Sequence, residues 1–251
     1  MPSYTKSLIL CLLLFVFNGC NNKTLELEKK EPIKTKFVEL KTKSFESENQ
    51  YIILALESEN QKLYFDARNL YFKLFEKTDN YEYFVKYLAI STHIQDYKIV
   101  KEHALKYYKN NIKEEEIILR LYTFALFKLG NQKEALLNAQ KLANLFKGDV
   151  NYELLGTIYL QQKDYLKAYE FFEKSFVLNK SANTFLNLTN IQYFNLSQKT
   201  EAINKIEQYI KDNGHDFNLS IQLLTFYEKE QQAQKMIPLL SEHSNNISLN
   251  E

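Results

Sequence analysis

Residues 149–182 decide the fold of this chain, and their sequence is DVNYELLGTIYLQQKDYLKAYEFFEKSFVLNKSA. Steps of three and four residues place one set on a single face of a first helix, namely Tyr152, Leu155, Gly156 and Tyr159. Asp164 and Tyr165 follow as a turn, and a second helix then directs inward Ala168, Phe172 and Ser175. Because Gly156 and Ala168 are small, the two helices can approach closely. The segment therefore predicts a packed pair of helices joined by a short turn.

The same pattern recurs along the chain at a nearly fixed interval. A small or compact residue is followed four positions later by another apolar residue at Ala67/Tyr71, Val100/Ala104, Ala135/Ala139, Ala168/Phe172, Ala202/Ile206 and Met236/Leu240. The first members of these pairs lie 33, 35, 33, 34 and 34 residues apart. This period predicts an all-α solenoid over residues 48–251, with about six repeats at 48–80, 81–115, 116–148, 149–182, 183–216 and 217–250.

The repeats resemble tetratricopeptide repeats, because signature residues of that family stand at matching positions. These are Gly130, Ala135, Tyr152, Leu155, Gly156, Tyr159, Ala168, Phe172 and Ala202. The resemblance implies a right-handed α-solenoid whose first helices line a concave groove that receives an extended or helical segment of a partner. It covers about four-fifths of the chain and is specific for the fold rather than for one function.

Matching positions within the repeats predict which residues line this groove. They are Ile52, Leu56, Lys86, Ala89, Arg120, Phe124, Phe127, Lys128, Glu153, Thr157, Leu160, Asn187, Ile191 and Phe194. The chaperone-binding branch of the family holds a C-terminal carboxylate with a Lys/Asn clamp, and the spacing around Arg120 and Asn187 does not reproduce it. The groove is instead apolar at its centre, which favours an apolar or aromatic partner segment, with an acidic flank near Arg120 and Lys128. The alternative is that Phe124, Phe127 and Phe194 only pack between neighbouring repeats.

Composition excludes several classes of function. The chain has five Gly and two Cys, Cys11 and Cys20, so the repeats contain no thiol for a disulfide, a zinc site or a nucleophile. The scarcity of Gly argues against a phosphate-binding loop, and the formal net charge of +1 gives no reason to expect nucleic acid.

The remaining polar candidates predict no catalytic or metal site. Four His residues are dispersed, namely His93, His103, His215 and His243. His215 and Asp216 are interpreted as capping or surface residues, and Glu114 to Glu116 as the acidic start of a helix, where carboxylates favour the positive end of the dipole. We therefore expect no enzyme, no metal, no small-molecule substrate and no cofactor other than a covalent lipid.

The N-terminus predicts that lipid. Lys6 precedes an unbroken apolar run at residues 8–17, which is too short to span a bilayer and is typical of a secretory signal. Phe17-Asn18-Gly19-Cys20 then resembles a bacterial lipobox, which implies a signal peptide at residues 1–19 and an acylated Cys20. In the bacterial lipoproteins that this N-terminus resembles, a residue such as Asn21 directly after the cysteine favours sorting to the outer membrane. The alternatives are an ordinary cleaved signal and an uncleaved anchor.

Residues 20–47 combine the acylated cysteine with a charged segment that predicts a flexible tether, the alternative being a bound strand or short helix. Together these features predict a lipid-anchored periplasmic scaffold for another cell-envelope protein. Two narrower roles stay open: a pilotin-like lipoprotein for a pilus or secretion ring, and an adaptor regulating a peptidoglycan hydrolase. Loss of such rings on deletion would favour the first role, and altered septation or hydrolase levels would favour the second.

Overall fold

The computed structural model describes residues 45–110 and 115–248, which form α-helices and no strand. The helices are α1 (Glu48–Asn60), α2 (Tyr64–Thr78), α3 (Tyr81–His93), α4 (Tyr97–Asn110), α5 (Glu116–Lys128), α6 (Gln132–Leu145), α7 (Asp149–Gln161), α8 (Tyr165–Leu178), α9 (Ala182–Phe194), α10 (Lys199–Asn213), α11 (Phe217–Lys229) and α12 (Ala233–Ser248). The predicted all-α architecture of helix-turn-helix repeats is confirmed. The predicted signal peptide, Cys20 and residues 21–44 of the predicted tether lie outside the described residues, as does Glu114.

The chain divides into two compact units between Lys109 and Asn110. Unit 1 contains α1 to α4 and unit 2 contains α5 to α12. Each predicted repeat contains one pair of helices, and within unit 2 each helix packs on the next one along the chain. None of the described helices is both long enough and apolar enough to cross a membrane.

The turn inside each helix pair is built in the same way. A residue with positive φ follows every first helix, namely Lys62, Gln95, Gly130, Lys163, Ser197 and Gln231. In five of these turns the next N–H donates to the carbonyl five residues earlier, as Asp164 N does to Tyr159 O at 3.0 Å. This hydrogen bond satisfies a carbonyl at the end of the first helix. Only Gly130 adopts this backbone without the strain of roughly 1–2 kcal/mol that a side chain brings.

The small residues of repeat 149–182 lie where α7 and α8 pack together. Gly156 is buried, and a Cβ atom placed on it would lie 3.2 Å from Phe172 Cδ2 and 3.3 Å from the Ala168 carbonyl oxygen. The aromatic ring of Phe172 therefore fills the space that Gly156 leaves. Most of the other signature residues are also buried, namely Ala135, Leu155, Tyr159, Ala168 and Ala202.

The C-terminal half of unit 2 has a core of aromatic and aliphatic side chains. The rings of Tyr193 on α9 and Phe226 on α11 stack with centroids 3.8 Å apart and planes only 4° from parallel. The Tyr193 hydroxyl donates to Glu230 Oε1 at 2.6 Å, which joins the ends of the same two helices. These contacts fix two successive first helices side by side.

Candidate functional site

The first helices of unit 2 share a face that the sequence analysis singled out. On each of α5, α7, α9 and α11, three residues spaced by four and then three positions lie on one side of the helix. We call this set the first-helix face: Arg120, Phe124, Phe127, Glu153, Thr157, Leu160, Asn187, Ile191, Phe194, Ile221, Thr225 and Glu228. The last three were absent from the predicted groove, although each lies 34 residues after its predicted counterpart, so the period could have found them.

The outer row of this face, at the third position of each helix, is apolar on α5, α7 and α9 and ends on α11 with the exposed Glu228. Phe127 on α5 and Leu160 on α7 are half-buried, whereas Phe194 on α9 is 51% exposed. The Phe194 ring lies edge-on to the Tyr193 ring at 4.8 Å and to the Phe226 ring at 5.7 Å. The Lys229 ammonium lies 5.8 Å from the centroid of the Phe194 ring, and about half of the Phe194 side chain stays accessible to a partner.

The inner row offers less surface. Phe124 is 9% exposed and Ile191 is 2% exposed, so both side chains belong to the core. The Lys128 ammonium lies 5.3 Å from the centroid of the Phe124 ring, and burial lowers the pKa of Lys128. Of the three Phe residues for which the sequence left groove and core open, Phe124 is therefore buried and Phe194 is accessible.

A polar network that includes Arg120 of this face joins α5 to α7. Arg120 Nη1 donates to Glu116 Oε1 and to Asn151 Oδ1, both at 3.2 Å. Asn151 is fully buried and donates to Glu116 Oε1 and to the Phe146 carbonyl, both at 2.8 Å. The Arg120 guanidinium, predicted to meet an acidic partner, is thus engaged within the chain.

Glu153 is the half-buried acid of this face, whereas its other acid, Glu228, is exposed. Burial, together with the like charge of Asp149 one turn earlier, raises the pKa of Glu153 to about 7. Within residues 45–110 and 115–248, no side chain donates a hydrogen bond to the Glu153 carboxylate or forms an ion pair with it. Five other half-buried glutamates each accept hydrogen bonds from such donors, namely Glu48, Glu59, Glu116, Glu207 and Glu230.

The predicted groove residues of unit 1 differ in exposure. Ile52 and Ala89 are half-buried, and Leu56 is exposed. Lys86 Nζ lies 3.3 Å from Glu59 Oε1, which also accepts a hydrogen bond from the Tyr71 hydroxyl. Exposed ion pairs of this kind contribute little to stability.

Unit 1 also carries a shallow depression of about 550 Å³ between α1 and α2. Its walls are formed by Gln50, Tyr51, Leu54, Asp66, Asn69, Leu70 and Lys73. This depression lies on the first helix pair that the structure describes, and its lining mixes apolar with charged side chains.

Three of the residues considered for metal or acid–base chemistry have structural contacts. Asp216 caps α11 by accepting from the Leu219 N–H at 2.9 Å, and Glu116 belongs to the network with Arg120. His103 lies edge-on to the rings of Phe72 and Tyr87, and burial lowers its pKa. Among the described residues, no group of three or more His, Cys, Asp or Glu side chains could hold a metal ion.

Solved structures share this architecture at low sequence identity. A tetratricopeptide repeat protein from Parabacteroides merdae is 15% identical, with 79% of each chain covered and a TM-score of 0.62. The pilF protein of Pseudomonas aeruginosa is 17% identical over 81% of this chain and 97% of its own, with a TM-score of 0.61. A thermophilic TPR protein of Thermus thermophilus, TTC0263, is 11% identical over 71% of this chain and 98% of its own, with a TM-score of 0.54.

No protein-family model matches the chain, and no curated protein sequence matches it either. At these identities the likeness to solved structures shows the fold alone. The chain has a tetratricopeptide-like fold.

Proposed function

We propose that this chain is a lipid-anchored periplasmic scaffold that binds an apolar or aromatic segment of another cell-envelope protein on its first-helix face. The observation that carries the proposal is the row formed by Phe127, Leu160 and the half-exposed Phe194. Accessible aromatic side chains held by packing are typical anchors of protein interfaces. Because Arg120 and Lys128 already contact side chains of this chain, the proposed partner segment needs no acidic flank.

The helices beneath the face are held rigidly, which supports a binding role. The network of Arg120, Glu116 and Asn151 fixes α5 against α7, and the stacked rings of Tyr193 and Phe226 fix α9 against α11. A surface that is already ordered loses little conformational entropy when it binds.

Changing Phe194 to Ser is expected to weaken partner binding by about tenfold to a hundredfold, as truncation of an aromatic anchor does. The full chain should keep its helical content, because half of the Phe194 side chain is already exposed. A photo-crosslinking amino acid placed at position 194 in cells should capture an envelope protein. The variant and the crosslink together test whether this face contacts a partner.

Leu166 on α8 provides the matched control, since it is 72% exposed and lies on a second helix. The same crosslinker at position 166 should capture nothing above background, and Leu166→Ser should bind normally. Equal crosslinking at positions 194 and 166, or unchanged binding by Phe194→Ser, would contradict the assignment of the face.

The lipid anchor rests on the N-terminal sequence, in which Cys20 directly follows a short apolar run and Gly19. Changing Cys20 to Ala should abolish labelling by a radioactive or clickable fatty acid and release the chain from membranes into the periplasmic fraction. Two or three acyl chains hold a protein stably, so the loss should be nearly complete. Continued labelling of the variant would overturn the anchor.

A further inference from the structure

The Glu153 carboxylate lacks the hydrogen bonds that other half-buried glutamates of this chain accept. Nothing in the described residues donates to it, whereas Glu116 on the neighbouring helix accepts from Arg120 and Asn151. A half-buried carboxylate without a partner carries a desolvation penalty that no hydrogen bond offsets. Such a penalty within a candidate binding face is typical of a group that is satisfied by a ligand.

The cations nearest along this face are already engaged. The Arg120 guanidinium contacts Glu116 and Asn151, and the Lys128 ammonium lies over the Phe124 ring. Asp149, the charge that acts on Glu153, has the same sign, and its carboxylate accepts from Asn179 Nδ2 at 2.8 Å. No cationic side chain of the described residues pairs with Glu153, and the charge that acts on it is a like one, which favours a cation supplied from outside.

We infer that Glu153 determines the specificity of the first-helix face by receiving a lysine or arginine side chain of the bound segment. This inference rests on the proposed function and names the chemistry of the partner: a basic side chain next to an apolar or aromatic one. Glu153 and Leu160 are seven residues apart on α7, which corresponds to about 10 Å along the helix axis. The basic and apolar groups of the segment should be separated by a similar distance.

The partner should therefore carry a basic residue within an apolar stretch rather than a purely apolar one. A charge-assisted hydrogen bond to Glu153 fixes the register of the segment, and the row of Phe127, Leu160 and Phe194 supplies apolar contact. Binding of the cation would lower the pKa of Glu153 and release a proton from the fraction that is protonated.

A random-peptide display selection against the purified full chain tests this inference. The wild type should enrich peptides that contain Lys or Arg near an aromatic or large aliphatic residue. Glu153→Gln, which keeps the side-chain shape and removes the charge, should still select apolar peptides but without basic enrichment. Glu173→Gln, on the exposed surface of α8, is the matched control and should select as the wild type does.

The affinity of one selected peptide then gives the size of the effect. Glu153→Gln should weaken binding of the Arg-containing peptide by about tenfold to a hundredfold, and replacing its Arg by neutral citrulline should give the same loss. The two changes combined should cost no more than either one alone. The inference is wrong if the losses of affinity from Glu153→Gln and from citrulline add up when the two changes are combined. It is also wrong if the selected peptides depend on Phe194 and carry no basic residue. In both cases the proposed function stands. If no peptide is selected, or selection survives Phe194→Ser, the proposed function fails and the inference fails with it.

Discussion

Replacing Phe172 with Ala is expected to lower the free energy of unfolding by about 3–5 kcal/mol, the range for truncating a fully buried aromatic side chain. Phe172 is 1% exposed, and its ring lies against the backbone of Gly156. The cavity cannot be filled by a neighbour on α7, because the residue facing it has no side chain. Urea unfolding of the full chain, followed by circular dichroism, measures the loss.

A second substitution tests whether the packing of Gly156 on Phe172 is the cause. In the wild type, Ala at position 156 would place its methyl group 3.2 Å from Phe172 Cδ2, so crowding offsets the gain of about 1 kcal/mol in helix propensity. In the Phe172→Ala background the methyl group has room, so Gly156→Ala should recover part of the lost stability. Leu166→Ala, at an exposed position of α8, should change stability by less than about 0.5 kcal/mol. Equal effects of Gly156→Ala in both backgrounds would show that the two residues do not share one packing site.

The sequence predicted the close approach of the two helices at Gly156 and Ala168, because both residues belong to a period that the fold imposes, but it did not predict the contact of Gly156 with the Phe172 ring. Small residues such as Gly156 and Ala168 allow two helices to pack closely. Similar pairs of residues recur every 33 to 35 residues, which indicates that the same packing is repeated along the chain. The turns were less predictable. Glycine marks the positive-φ residue in one pair, as Gly130, while Lys163 and Gln231 hold the same backbone in others. In those turns the packing of the pair imposes the conformation, and the residue type does not reveal it.

The candidate site was predictable in its position and not in its chemistry. Phe127 and Phe194 occupy matching places in their repeats, yet Phe127 is half-buried and Phe194 is half-exposed, because exposure depends on what the adjacent helices supply. Likewise, the sequence alone makes Arg120 a plausible contact for an acidic partner. In the structure, Arg120 donates instead to Asn151, 31 residues later in the chain. Contacts between repeats decide these outcomes, and a period within one repeat carries no information about them.

Replacing Glu153 with Gln is expected to stabilise the chain above neutral pH and to have little effect in acid. The pKa of Glu153 is raised from its ordinary value of 4.5 to about 7, so the folded state holds this proton more tightly than the unfolded chain does. A raised pKa contributes stability that is fully present below about pH 4.5 and is lost as the pH rises through about 7. Gln carries no titrating proton, so its difference from the wild type should grow by about 1–3 kcal/mol between about pH 5 and about pH 8.

The difference between the two proteins is the quantity to measure, because the other titrating groups act equally on both and cancel. Urea unfolding of the wild type, Glu153→Gln and Glu173→Gln at about pH 5 and about pH 8 measures this difference in the free energy of unfolding. The Glu173→Gln variant should stay within about 0.5 kcal/mol of the wild type at both pH values. A peptide that places a cation on Glu153 should reduce the advantage of Gln at high pH, since it binds the ionised carboxylate of the wild type more tightly. If Glu153→Gln shows no gain on going from acid to alkaline pH, the carboxylate is well solvated in the free protein. The first-helix face would then hold no unsatisfied charge for a partner to neutralise.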